Sequence, residues 1–234
     1  DGVRLVTRAA LTPVIAINSG GPDVNGITVR DQVVNFVSDL ADAPKVGFDT
    51  GSTYNAYTNP NAQSVDFPDT DLDAIHAYER SGNFTVWSYN IDVPDGEYLV
   101  DLYFAEIYHG LQNTSDPEGL RVFDLEIEGT KVLDDYDIIS DAGASATEVL
   151  KTFQVTVTDG QLNLEFFKEV DQAKLSGLVV WSIDGTFVPP ADETAPEITG
   201  IFFENPPSDQ DSPRDLIVTI EDNSGFDAAD FVGL

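Results

Sequence analysis

The chain has 234 residues, with 42 acidic residues against 11 basic ones and a formal net charge of −31. That length is enough for one large domain and a smaller one, and so negative a charge repels phosphate backbones and anionic lipid surfaces, which excludes nucleic acid as a partner. There is no Cys and no Met, which removes disulfides, thiolate metal sites and cysteine nucleophiles; no apolar run approaches the ~18 residues that span a bilayer, so no membrane insertion is expected.

Residues 1–13 carry Arg4 and Arg8 without any hydrophobic period and read as an upstream linker. The first strand is expected at Val14-Ile15-Ala16-Ile17-Asn18, stopped by the breaker cluster Ser19-Gly20-Gly21-Pro22. From Thr28 to Asp73 the chain is polar, spread with Gly, Asn, Pro and Thr, and reads mostly as loop. Tyr54 and Tyr57 in this stretch offer apolar ring faces with a hydrogen-bonding tip, which suits either ligand binding or a lid over the core. Asp69-Thr70-Asp71-Leu72-Asp73 has D-x-D-x-D spacing, but the sixth and twelfth positions of an EF-hand loop must be Gly and Glu, and here they are Ala74 and Arg80. The EF-hand is thereby excluded. Asp69, Asp71 and Asp73 remain a weak oxygen-ligand set for calcium, beside the plainer reading as a solvated acidic loop.

The aromatic and β-branched run from Asn83 to Asp92 is a strand, and Pro94-Asp95-Gly96 reads as the turn of a hairpin. In Gly96–Phe104, Tyr98, Val100, Leu102 and Phe104 share one face and Asp101 and Tyr103 the other, the pattern of a half-buried strand. It runs out into Tyr108-His109 and a loop from Gly110 to Gly119, where an aromatic pair at a sheet edge is the expected place for function. Arg121–Glu128 alternates, with Phe123, Leu125 and Ile127 inward and Asp124 and Glu126 outward, and Gly129-Thr130 turns it back. Ala142–Ala146 reads as a small-residue surface connection. Phe153–Val157 and Leu162–Phe166 read as a further hairpin through Thr158-Asp159-Gly160-Gln161, and Leu175–Ile183 as a strand buried on both faces. Short strands punctuated by turns, with almost no helical period, predict an all-β antiparallel sandwich over 14–187. Residues 188–196 are a Pro-rich acidic linker, and 197–234, with strands at Ile198–Glu204 and Leu216–Glu221, read as a truncated second β-sandwich of immunoglobulin type.

Little catalytic chemistry survives scrutiny. The only histidines are His76 and His109, so a multi-histidine zinc site is excluded, and there is no G-x-S-x-G elbow. With 42 acids available, a carboxylate pair suited to glycoside cleavage carries no information. What remains is a set of loop aromatics with a few acids. A pyranose stacks its C–H face on such rings while its hydroxyls bond charged partners.

Ile17-Asn18-Ser19-Gly20-Gly21, Tyr78-Glu79-Arg80, Tyr103-Phe104-Ala105-Glu106-Ile107-Tyr108, Arg121-Val122-Phe123-Asp124 and Tyr136-Asp137-Ile138 follow one another in the order and spacing of the malectin domain, and residues 14–185 resemble that family. The resemblance implies a jelly-roll, galactose-binding-like lectin fold that binds an oligo- or polysaccharide without catalysis and without a required cofactor. It further implies a module of a larger exported bacterial protein, extracellular or at the cell surface; apart from the resemblance, a monomer is expected. Carried over position by position, the family's binding residues fall on Tyr54 or Tyr57, on Tyr108 and His109, and on Asp171; His109 stands where animal members carry an aromatic. A further family tyrosine falls at Ser81 and is missing, while Glu79, Arg80 and Glu106 recur in the family and read as structural. Two other readings stay open: a structural or adhesive sandwich with no glycan of its own, and a domain of a polysaccharide-degrading enzyme whose catalytic part lies elsewhere.

Overall fold

The computed structural model describes residues 11–40, 72–82, 85–111 and 117–183 in full, and residues 48–49, 55–58, 197–203 and 216–221 by their backbone. It divides into two compact units, Asp1–Val188 and Pro189–Leu234.

In chain order the first unit holds β1 (Thr12–Asn18), β2 (Val24–Val29), β3 (Gln32–Ser38), β4 (Phe48–Asp49), β5 (Asn55–Thr58), the short helix α1 (Asp73–His76), β6 (Tyr78–Ser81), β7 (Val86–Asp92) and β8 (Gly96–Phe104). There follow β9 (Val122–Ile127), β10 (Thr130–Tyr136), α2 (Ile138–Ala142), β11 (Val149–Val157), β12 (Gln161–Val170), β13 (Lys174–Leu175) and β14 (Gly177–Ser182). They form a six-stranded sheet in the order β11-β8-β14-β1-β3-β2, a five-stranded sheet β10-β9-β12-β7-β4, and a small sheet β13-β6-β5. Pairing is antiparallel apart from a short parallel contact of β1 with β3. This is the all-β sandwich that the strand pattern predicts.

Period-2 alternation supplies the main core. Tyr98, Val100, Leu102 and Phe104 of β8 meet Tyr89 and Ile91 of β7, Phe123 and Leu125 of β9, and Leu164 and Phe166 of β12. Trp87 stacks on Phe166 with ring centroids 4.1 Å apart, and its indole N–H donates to the Ala173 carbonyl at 3.1 Å, so a large ring is buried with its polar atom satisfied.

The structure corrects several sequence expectations. Gly96–Phe104 is buried on both faces, not one: the β2–β3 hairpin and α1 cover the far side with Val29, Val34, Phe36, Leu72 and Ile75, which pack around Tyr103, Val179 and Trp181. Asp101, expected to face outward, is fully buried there and accepts from Arg30 at 2.6 and 2.7 Å, Thr152 at 2.6 Å and Trp181 Nε1 at 2.8 Å. Thr28–Asp73 is therefore no simple loop, since it contributes β3 and the backbone strands β4 and β5. Ala142, expected in a surface connection with Ala146, is the last residue of α2, whose N-cap Asp137 accepts from the Ile139 amide at 2.8 Å.

Two expected hairpins are arches instead. β7 and β8 lie in different sheets, as do β11 and β12, so the Asp95-Gly96 and Asp159-Gly160 turns carry the chain across the core. The two arches bind each other, Gly160 N donating to Asp95 Oδ1 at 2.9 Å and Val93 N to the Gly160 carbonyl at 3.1 Å. The Gly129 turn does join a true hairpin, β9 with β10. Leu175–Ile183 is interrupted at Ser176, with β13 in the small sheet and β14 in the large one. The second unit contributes β15 (Glu197–Phe203) and β16 (Leu216–Glu221), paired antiparallel.

Candidate functional site

Three chain segments converge beyond the strand ends: Ala105–Gly110 leaving β8, Arg121 entering β9, and Asp171 leaving β12. Ala105 and Ile107 are buried against Ala146, so alternate side chains anchor the segment and leave the following pair at its tip. The tip is closed by Gly110 at φ +82°, where an added Cβ would stand 2.0 Å from Ser145 Oγ.

Glu106 organises this junction. Its Oε1 accepts from the backbone N–H of Tyr108 at 2.8 Å and of His109 at 3.1 Å, while its Oε2 accepts from Arg121 Nε at 2.6 Å. Burial by itself would push the Glu106 carboxyl up; the Lys174 and Arg121 charges, the Arg121 hydrogen bond and the Tyr108 amide outweigh it and hold the group down at about 2. Arg121 also donates to the Gln172 carbonyl and lies 3.5 Å from Asp171 Oδ2. Asp171 itself sits at φ +55°, a left-handed position that Asp tolerates better than most residues.

His109 completes the link from the other side. Its Nε2 lies 2.8 Å from Asp171 Oδ2, and its ring packs edge-on against Tyr108 with centroids 5.0 Å apart. The side chain is only 9% exposed, so it holds Asp171 from below and offers no open face for stacking, whereas Asp171 keeps 36% exposure. Tyr108 is half-buried. Ser145 Oγ donates to the His109 carbonyl at 2.8 Å and the Ala146 amide to the Glu106 carbonyl at 2.9 Å, which ties the loop after α2 to this segment.

Tyr108, His109 and Asp171 are thus brought together. Tyr57 lies in β5, its backbone opposite Glu79 of β6. Glu79 pairs with Lys174 at 2.5 Å, and Lys174 donates to the Ala105 carbonyl, so the small sheet abuts the same junction. Tyr54, Asp69 and Asp71 lie outside the described residues, and Asp73 begins α1. Among the described residues no group of three or more His, Cys, Asp or Glu gathers as a metal set.

Arg121 was not singled out by sequence reasoning as part of the site. The signal for it was scarcity. In a chain with 11 basic residues, Arg80, Arg121 and Lys174 are all buried, and each meets a buried carboxylate, from Asp39, Glu106 and Glu79 respectively.

A family model described as the malectin domain matches residues 13–179. A probable leucine-rich repeat receptor-like serine/threonine-protein kinase of Arabidopsis thaliana is 30% identical over 105 residues, which cover 42% of this chain and 10% of that protein. Among solved structures, the ANXUR1 extracellular domain from Arabidopsis thaliana superposes with a TM-score of 0.60 at 17% identity, over 74% of this chain and 49% of that one. A Bacteroides uniformis beta-glucuronidase superposes with a TM-score of 0.54 at 16% identity, over 72% of this chain and 18% of that one. The chain spans a tenth of the length of that curated relative and about half of the plant ectodomain.

Proposed function

The chain belongs to the malectin domain family, and from that premise we propose that it is a non-catalytic glycan-binding module, acting outside the cell within a longer polypeptide. The observation that carries the reading is the pairing of a half-buried Tyr108 with a partly exposed Asp171 whose carboxylate is held in place by His109 at 2.8 Å. A tyrosine ring supplies a flat apolar face for a sugar's C–H groups and a hydroxyl at its rim. A carboxylate held by the His109 ring and faced by the Arg121 guanidinium meets a sugar hydroxyl as an acceptor with less rotamer freedom to lose. His109 positions that carboxylate, and the β5 tyrosine, Tyr57, belongs to the same end of the sandwich. The expected ligand is a neutral oligo- or polysaccharide, because the net charge of −31 repels sulfated and polyuronic chains. The family match extends to residue 179, and the immunoglobulin-like reading of 197–234 is carried as part of this proposal.

Affinity electrophoresis in gels containing neutral polysaccharides tests it. The wild-type chain is expected to be retarded by at least one of them, and Tyr108→Ala and Asp171→Ala to migrate as in an empty gel. A wild-type chain retarded by none, or variants retarded as strongly as wild type, would overturn the reading.

A further inference from the structure

Among the described residues the two main sheets end in four edge strands, and three of them are short or irregular. β2 carries a register shift between Val24 and Ile27, with Gly26 at φ +75°. β10 carries two, between Lys131 and Leu133 and between Leu133 and Tyr136, with Asp135 at φ +48°. β4 is two residues long. Bulges and short lengths are the devices by which sheets refuse a further strand. β11 has neither. It pairs with β8 through nine consecutive residues, Val149 to Val157, with no register shift, and it ends the six-stranded sheet.

From this asymmetry we infer that β11 is an interaction edge, which accepts an extended segment of a protein partner as a seventh strand, with apolar residues alternating with Lys or Arg. The apolar half of that chemistry follows from the inner face of the edge. Val149, Phe153 and Val155 pack on the core but remain only partly buried, so the hydrophobic layer stops unfinished at β11. Alternate apolar side chains of an added strand would continue it. The cationic half follows from what surrounds the edge. Glu148 stands at its entry, Asp159 follows its exit, Asp141 lies beneath it and Glu97 beside it on β8; the cations at the edge are Lys151 and Arg30, and Arg30, which also reaches Thr152 at 3.2 Å, is engaged by the buried Asp101. Lys151 is itself committed, to Asp141 at 2.6 Å and over the Tyr136 ring at 5.4 Å. A second copy of this chain would bring another charge of −31 to the same edge and is repelled.

The outer face leaves room for the approach. Leu150 is 44% exposed, and Thr152, Gln154 and Thr156 are exposed beside it. This edge belongs to strand residues that take no part in the glycan site, so the inference stands independently of that reading.

The test is titration of the full chain with a capped nine-residue peptide of alternating Val and Lys, with its Glu-for-Lys counterpart as contrast, read by amide hydrogen exchange and by sedimentation. Saturable binding by the Lys peptide is expected, with new protection confined to 149–157. Leu150→Lys combined with Gln154→Lys is expected to weaken it by about tenfold or more through like-charge repulsion, while Leu150→Thr combined with Gln154→Thr keeps the wild-type affinity. Binding absent up to about 1 mM, equal binding of the Glu peptide, or protection elsewhere would overturn the inference. A dimer forming through β11 without peptide would replace the cationic partner by a second copy.

Discussion

Replacing Glu106 by Gln removes one charge and almost no volume, and the structure says how much follows. The carboxylate accepts on both oxygens, from the Tyr108 and His109 amides on one and from Arg121 Nε on the other. A Gln side chain has one accepting end and one donating end, so either the two amides or the guanidinium must face an N–H₂ group. Both partners of the ion pair are buried, Glu106 at 1% and Arg121 at 5% exposure, and water cannot take over. Breaking a buried pair from one side costs about 3–5 kcal/mol. The Gln172 carbonyl and Asp171 still face the guanidinium, which places Glu106→Gln near the lower end, about 3 kcal/mol.

Urea unfolding at neutral pH measures that loss. Its pH dependence is a second, sharper reading. The folded Glu106 carboxyl is held at about 2, below its ordinary 4.5, so its contribution is complete above 4.5 and lost as pH falls toward 2. The gap between wild type and Glu106→Gln is therefore expected to stay level from neutral pH down to that value and to close below it. A loss under about 1 kcal/mol, or a gap unchanged through the acid range, would refute the assignment of Glu106 as the charge that holds the junction.

Two further substitutions probe the neighbouring scaffold. Asp39 accepts from the Gly20 amide at 2.7 Å, from Arg80 at 2.9 and 2.5 Å and from the Tyr89 hydroxyl at 2.6 Å; Asp39→Asn again turns a donor toward donors, and differential scanning calorimetry should show Tm lowered by about 6–12 °C, the equivalent of about 3 kcal/mol for a domain of this size. Gly20 has φ +75° and its added Cβ would stand 2.2 Å from the Glu79 carbonyl oxygen, so Gly20→Ala should cost more than about 2 kcal/mol in a tryptophan-fluorescence denaturation curve. A near-wild-type curve would mean that the β1 turn and β6 can separate without loss.

The site was legible in the sequence to the extent that its residues share local motifs. Tyr108 and His109 follow Glu106 at the end of an alternating strand, and a loop aromatic pair there signals function by position alone. Asp171 came into view only through the resemblance, since nothing local separates it from 41 other acids. His109 was expected beside the ligand, whereas the structure places its ring under Asp171 and Tyr108. That difference is one of burial, which depends on the loop after α2 closing over the segment, an event between residues far apart in the chain.

What the sequence determined by itself was the alternation of faces: Tyr98, Val100, Leu102 and Phe104 point into the core as their period requires, because side chains of an extended chain alternate whatever it pairs with. What only the tertiary structure decided was the partner of each strand. An Asp-Gly turn reverses the chain equally well within one sheet or across two, and the Asp95 and Asp159 turns became arches because β7 and β12 pair with each other while β8 and β11 pair in the opposite sheet. The same nonlocal pairing buried Asp101 by folding Arg30 back over it, and left β11, among the described residues, as the one long regular edge of the main sheets. Faces are written locally in the spacing of residues; partners depend on which distant surfaces complete one another's burial.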